Sequence, residues 1–300
     1  MIGCFQTLQQ KGRRIEIIKT ITEMQSWAEQ VRRAGKHIAF VPTMGFFHEG
    51  HLALMSQGRR YGDKLVVSIF VNPAQFGPAE DFEQYPRDLE NDLALAEARG
   101  TDVVFAPETA ELYPEGFETY VMQSRLPGHL CGLSRPGHFK GVMTIVAKLF
   151  NIVKPRYAMF GRKDFQQLAV LHRMTRDLNF DTKIIDCPTV RESDGLALSS
   201  RNKYLTADQR QSGLTLYRAL TMAQNDVAAG QRNAEPLIDK AAEIISAAAD
   251  TEIDYIKICD PDTLDDVSRI ERPALMALAV KVGSTRLIDN TILTPPVSPT

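Results

Sequence analysis

His37-Ile38-Ala39-Phe40-Val41-Pro42-Thr43-Met44-Gly45-Phe46-Phe47-His48-Glu49-Gly50-His51 joins a short apolar run to a glycine-bearing turn that ends on two histidines. The run His37 to Val41 reads as a buried strand, and a helix is expected from His51, so the turn lies where a strand hands over to a helix. In open parallel sheets nucleotides bind at the carboxyl ends of strands. His48 and His51, three apart, fall on one side of the first helical turn, beside free backbone N–H groups and the positive end of the helix dipole, a setting that suits a polyphosphate. Gly45 and Gly50 lack a Cβ and would let bulky ligand groups approach the backbone. A zinc-protease H-E-x-x-H motif needs histidines at i and i+4, which this spacing does not give, and the chain contains neither a G-x-x-x-x-G-K-[ST] loop nor a G-x-G-x-x-G after a strand. Taken alone, the turn indicates nucleotidyl transfer, with ordinary loop histidines as the plain alternative.

Outward from this stretch, β-branched runs alternate with helical patterns. Strands are expected at Ile15 to Ile18, Leu65 to Val71, Val103 to Ala106, Tyr157 to Phe160 and Lys183 to Cys187. Helices are expected over Glu23 to Ala34, Leu89 to Arg99, Gly141 to Val153 and Phe165 to Leu178. That order implies an α/β fold, a Rossmann-like doubly wound parallel sheet, over residues 1–187. From Pro188 the texture changes: two Ala-rich helices, Ala207 to Ala229 and Ala234 to Ala249, precede short strands at Asp254 to Cys259, Ala274 to Val282 and Arg286 to Ile288. Residues 188–300 thus read as a smaller α+β C-terminal domain, ending in a loose Pro-rich tail from Thr294.

Composition narrows the partners. With 300 residues, 44% hydrophobic and 24% charged, the chain can bury two cores. Its net charge of -2 offers no general attraction to nucleic acid, so a small-molecule substrate is the default. Cys4, Cys131, Cys187 and Cys259 lie far apart without a C-x-x-C pair, which points to reduced thiols and no zinc or redox site. The first residues lack a signal-peptide run, and no stretch approaches the roughly 20 apolar residues of a membrane span. A cytoplasmic protein with no membrane association is expected.

Four further segments carry a more specific resemblance: VSIFVNPAQFGPAEDFEQYPRD from Val67, SRPGHFKGVMTIVAKLFNIVKP from Ser134, FGRKDFQQL from Phe160 and DGLALSSRNKYL from Asp194. Together with the turn, and in this order, they resemble the pantothenate synthetase family from about Ile15 to Asn290. The resemblance implies a Rossmann-like catalytic domain with a hinged carboxy-terminal lid, ATP with Mg2+ as co-substrate, pantoate and β-alanine as substrates, and a homodimer.

Carried over residue by residue, it implies ATP contacts from Met44, Gly45, Phe46, Phe47, His48, Glu49, Gly50 and His51, from Gly161, Arg162, Lys163 and Asp164, from Val190, and from Leu198, Ser199, Ser200 and Arg201. His51, His48, Lys163 and Arg201 would carry the catalysis. Gln75 and Gln167 match the family's pantoate-binding glutamines, and an amide that both donates and accepts suits a ligand with two hydroxyls and a carboxylate. Pro42, Met44 and Val142 could form an apolar wall for paired methyl groups, with Met143 better read as core. Lys163 follows a strand and can set a point charge on phosphates, while Asp164 caps the next helix or meets a ribose hydroxyl. Leu198 to Arg201 resembles the mobile loop of adenylating enzymes, with two hydroxyls and a guanidinium for departing pyrophosphate.

Two departures stand out. Phe46-Phe47 replaces a smaller residue followed by Leu, and Asn91 beside Asp92 leaves a single carboxylate in a stretch that is often more acidic. No metal ligand is therefore assigned to the protein, and Mg2+ is expected on ATP phosphates and water. The implied reaction is attack of a pantoate carboxylate on the α-phosphorus of ATP, then of the β-alanine amine on the adenylate. The rival readings are another H-x-G-H nucleotidyltransferase and a non-catalytic nucleotide-binding protein.

Overall fold

A computed structural model describes residues 15–78, 80 and 82–296; the 14-residue extension with Cys4, and the tail beyond 296, lie outside the described residues. The strands are β1 (Glu16–Ile18), β2 (Ile38–Thr43), β3 (Lys64–Ile69), β4 (Val103–Phe105), β5 (Tyr157–Gly161), β6 (Lys183–Cys187), β7 (Thr251–Cys259), β8 (Ala274–Val282) and β9 (Thr285–Leu293). The helices are α1 (Ile21–Arg33), α2 (Glu49–Tyr61), α3 (Leu89–Ala98), α4 (Thr109–Leu112), α5 (Cys131–Ser134), α6 (His138–Val153), α7 (Phe165–Asp177), α8 (Ala207–Ala228) and α9 (Ala234–Ser246).

β1 to β6 form one sheet in the order β1-β4-β3-β2-β5-β6, with every pairing parallel. Ile38, Ala39, Phe40 and Val41 are all buried, as a central strand covered by helices on both faces requires. The chain moves outward from β2 through β3 to β4, then returns to the other side of β2 for β5 and β6. The sheet order therefore reverses between β2 and β5, and a ligand crevice opens at their carboxyl ends. This is the expected doubly wound fold.

The second sheet is antiparallel, β7-β8-β9, and is backed by α8 and α9. α8 starts on a capping box, Thr206 accepting from the Gln209 amide while Gln209 reaches back to the Thr206 amide. In β8 every residue from Ala274 to Val280 is buried. Leu275 and Ala277 face the large core of the parallel-sheet half, whereas Met276, Leu278 and Val280 pack with α8 and α9.

Several boundaries move. α2 begins at Glu49 rather than His51, because His48 is its N-cap. β3 spans Lys64–Ile69 rather than Leu65 to Val71, its end yielding to a turn that leads into Asn72-Pro73. α6 begins at His138 instead of Gly141, directly after Gly137 at φ 85. β9 runs on to Leu293 instead of stopping at Ile288, since the buried polar pair Asp289-Asn290 continues the strand. Cys131, Cys187 and Cys259 are free thiols.

Candidate active site

The crevice at the β2–β5 switch is a cleft of about 270 Å³. Its floor begins in the turn after β2. Gly45 and Phe46 both adopt left-handed conformations, φ 83 and φ 53, and this pair of turns points consecutive amides the same way. The amides of Phe46 and Phe47 donate to Asp92 Oδ2 and Oδ1, each at 2.7 Å. Asp92 lies on α3 and is 1% exposed. Burial raises its carboxyl above the usual range, while the two amide hydrogen bonds oppose that shift. A Cβ on Gly45 would come within 2.9 Å of Asp92 Oδ2 and 3.0 Å of Ile69. The glycine thus makes room for the protein's own carboxylate, not for a ligand as the sequence suggested. Asp92, considered only as a metal ligand from the sequence, instead clamps the turn.

His48 accepts the Gly50 amide on Nδ1 at 3.1 Å, and the His48 amide makes a longer contact, 3.4 Å, to Nδ1 of His51. With both Nδ1 atoms acting as acceptors, each neutral ring carries its proton on Nε2. The rings stack at 4.2 Å between centroids. A Cβ on Gly50 would meet the His48 ring at 2.8 Å, so this glycine makes room for the imidazole. Burial, then the nearby Lys163 charge, pushes His48 down to about 4. Burial, then His48 and Lys163, pushes His51 down to about 3. At neutral pH both are therefore uncharged Nε2–H donors.

Lys163 stands on a 3-10 turn, Arg162–Asp164, between β5 and α7. Asp164 makes no capping hydrogen bond to α7, contrary to one of its two expected roles. Ser199, which also lines the cleft, caps a second 3-10 turn, Ser200–Tyr204, accepting the Arg201 amide at 3.3 Å. The Leu198 amide donates to the Val190 carbonyl at 3.0 Å, which ties this loop to the segment after β6.

Met44, His48, Gly50 and His51 line the cleft together with Gly161, Lys163 and Asp164, Val190, and the Leu198 to Arg201 loop. Gln75, Gln167, Pro42 and Val142 line it as well, while Met143 is 1% exposed and belongs to the core. Gly45, Phe46, Phe47, Glu49 and Arg162 do not line it. Phe47 packs into the core beside β2, and Phe46 lies under the Lys203 ammonium, 4.1 Å from its ring centroid. Glu49 pairs with Arg99 at 3.3 Å.

The sequence reading missed three residues. Asn72, 1% exposed, donates to Gln75 Oε1 at 3.0 Å and accepts from the Tyr113 hydroxyl at 2.8 Å. It thereby fixes Gln75, whose Nε2 donates to Met44 Sδ at 3.2 Å. The Asn72 amide also reaches the Gly141 carbonyl at 3.1 Å, and a Cβ on Gly141 would overlap the Ala74 carbonyl oxygen at 2.1 Å. Arg135 pairs with Glu80 and donates to His138 Nε2 at 3.2 Å, so His138 donates from Nδ1 to the Gln75 carbonyl at 2.8 Å. Burial, then Arg135, lowers His138 to about 4. All three face the cleft. Their signal was the Asn-Pro turn and the Arg-Pro-Gly-His stretch inside two of the quoted segments.

Comparison with known proteins agrees with this geometry. A family profile described as Pantoate-beta-alanine ligase matches residues 16–292. The chain is 57% identical over 281 residues to a pantothenate synthetase of Desulfatibacillum aliphaticivorans, covering 94% of this chain and 100% of the relative. It is 53% identical over 279 residues to one of Thermotoga petrophila, covering 93% and 100%. Among solved structures it resembles a pantothenate synthetase of Thermus thermophilus, with TM-score 0.88 and 44% identity over 94% of this chain and 100% of that one. It also resembles a pantoate-beta-alanine ligase of Francisella tularensis complexed with β-γ ATP and β-alanine, with TM-score 0.77 and 34% identity over 93% and 97%. Profile, relatives and fold coincide: the chain belongs to the pantoate–β-alanine ligase family.

Proposed function

We propose that this protein joins pantoate to β-alanine through a pantoyl adenylate, with ATP cleaved to AMP and pyrophosphate. The observation that carries this reading is that two phosphate-suited groups of residues line one cleft at the strand-order reversal: the His48–His51 helix start with Lys163, and the Ser199–Arg201 loop. A pantoate carboxylate oxygen attacks the α-phosphorus of ATP, and the bond to the pyrophosphate oxygen breaks. Charge grows on the phosphates as it does so. The Nε2–H groups of His48 and His51, the Lys163 ammonium, the Ser199 and Ser200 hydroxyls and the Arg201 guanidinium are the groups that stabilise it. Burial, helped by the Lys163 charge, keeps both imidazoles neutral, so they act as hydrogen-bond donors while Lys163 supplies the positive charge. In the second step the amine of β-alanine forms a bond to the acyl carbon, the bond to the AMP oxygen breaks, and the amine proton passes to solvent.

Gln75, held by Asn72, and Gln167 bind the hydroxyls and carboxylate of pantoate, while Pro42, Met44 and Val142 face its methyl groups. Of the sequence-derived ATP contacts, Gly45, Phe46, Phe47, Glu49 and Arg162 shape or flank the site through the backbone. Among the described residues no group of three or more His, Cys, Asp or Glu could hold a metal ion. Asp92 is already engaged by two amides. In this reading Mg2+ enters with the nucleotide's phosphates, as part of the substrate.

Residues 188–300 act as the lid over a catalytic domain of residues 1–187, excluding water from the anhydride. The active form is a cytoplasmic homodimer; no described helix is long and apolar enough to cross a membrane. The test is exchange of labelled pyrophosphate into ATP in the absence of β-alanine. Exchange that requires pantoate is expected, and ADP formation or pantoate-independent exchange overturns the reading.

A further inference from the structure

The two walls of the cleft are far apart in sequence and do not form a common element. Both are held by one dipeptide of β9. Asn290 Nδ2 donates to the carbonyl of Lys163 at 2.8 Å and to that of Arg162 at 3.0 Å, using both of its protons on the turn that carries the Lys163 ammonium. The neighbouring Asp289 accepts Arg191 through both carboxylate oxygens, at 2.6 Å and 2.9 Å. Arg191 donates further to the Gly195 carbonyl at 3.1 Å, and its backbone bridges Ala197, two residues before Ser199. The Asp289 carboxylate also accepts the backbone N–H of Asn290 at 2.8 Å, which fixes the carboxylate against the main chain that carries Asn290.

Packing alone does not require these groups. Asp289 and Asn290 are 4% and 9% exposed, and their strand neighbours Leu287 and Leu293 are apolar and buried. A buried polar side chain carries a desolvation penalty that only its hydrogen bonds offset. Here those bonds run to the segments just behind the phosphate-handling residues.

We propose that Asp289-Asn290 is a latch: Asn290 is a positioning residue for Lys163, Asp289 is one for the Ser199–Arg201 loop, and their union in one strand sets the spacing of the two walls when the C-terminal region is docked. This inference rests on the adenylate-forming reading above. The latch makes transition-state stabilisation conditional on docking, because an undocked C-terminal region loses the Asn290 contacts and frees the Lys163 turn. The adenylate then forms only where the cleft is covered.

The test is a double-mutant cycle between Asn290 and Lys163, read by pantoate-dependent pyrophosphate exchange. Asn290→Leu keeps most of the side-chain volume and removes both donors; Asn290→Asp keeps the shape and serves if the leucine variant does not fold. Either is expected to lower the exchange rate roughly tenfold or more, through loss of two buried hydrogen bonds at a positioned group. The KM for ATP should rise, and in full turnover AMP should exceed pantothenate as adenylate hydrolyses in a loosened cleft. In a Lys163→Ala background the same substitution should cost little further, since its effect passes through Lys163. An equal loss in both backgrounds, or an unchanged KM for ATP with equimolar AMP and pantothenate, overturns the latch while leaving the adenylate reading intact. Absence of pantoate-dependent exchange in the unmodified protein overturns the adenylate reading, and the latch falls with it.

Discussion

The parallel-sheet half and the antiparallel C-terminal half use opposite strategies to place chemistry. In the first, the cleft-lining side chains sit directly where strands end: His48 and His51 follow β2, Gln75 follows β3, and Lys163 follows β5. Their positions come from the sheet itself, reinforced by short local contacts such as the Gly50 amide on His48. In the second, the strands carry no group that lines the main cleft. They act by gripping loops, through Asn290 on the Lys163 turn and Asp289 on Arg191. The parallel sheet places side chains in the crevice directly, whereas the antiparallel sheet reaches it only through hydrogen bonds to the segments that carry them.

The contrast breaks most sharply at His51. If the strand-end groups act on charge that develops during the reaction, His51→Ala lowers the rate of adenylate formation by roughly 10² to 10³ with pantoate KM little changed. Single-turnover measurement of pyrophosphate release checks this, and wild-type rates would transfer the catalytic burden to the loop across the cleft.

A smaller loss is expected at Asp92, which supports the turn from α3 without touching ligand. Asp92→Asn sets an amide donor against one of the two backbone donors and should destabilise the fold by about 1–3 kcal/mol, with a loss of roughly tenfold in exchange rate. Denaturant unfolding and exchange kinetics together measure it. A stability change with unaltered kinetics would mean that the histidines hold their places without the clamp.

The smallest effect expected is a flat one. Because His48 and His51 stay neutral down to about 4 and about 3, the rate of adenylate formation should show no inflection at the ordinary imidazole value of 6.5. Stability behaves differently. The unfolded chain takes up protons on these imidazoles as pH falls through 6.5, whereas the folded chain does not until about 4 for His48 and about 3 for His51, so their contribution is full above 6.5 and is lost progressively as pH falls from 6.5 to those values. A pH–rate profile with a limb at 6.5 from free enzyme, absent in His48→Ala, would show that the rings ionise and sharpen the role assigned to Lys163.

Much of the first half could be read from residues alone, because its signals are local. An apolar run, a turn with two glycines and a helix start lie within fifteen residues, and the period of the pattern decides their type. What sequence could not reveal is partnership at a distance. Asp92 meets the turn across 45 and 46 residues, and Asn290 meets Lys163 across 127. Asn72 is readable as a turn residue, but its grip on Gln75 depends on Tyr113 and Gly141 closing around it. The misreading of β9 has the same origin. An apolar run ends at Ile288, yet the strand continues because Asp289 and Asn290 find buried partners that no local pattern announces. The missing Cβ atoms of Gly45 and Gly50 make way for Asp92 and His48, partners that the local pattern of the turn does not announce.

The double-faced burial of β8 also governs the order in which the molecule can be completed during synthesis. Leu275 and Ala277 belong to the core of the half made first, and Met276, Leu278 and Val280 to the core of the half made last. A nascent chain carrying all six parallel strands therefore still leaves apolar surface wet until the ribosome has released a strand that starts at Ala274. The first half emerges as a body with an apolar face that stays open until β8 has followed it out, and the time to cover it is set by elongation rather than by the speed of local folding.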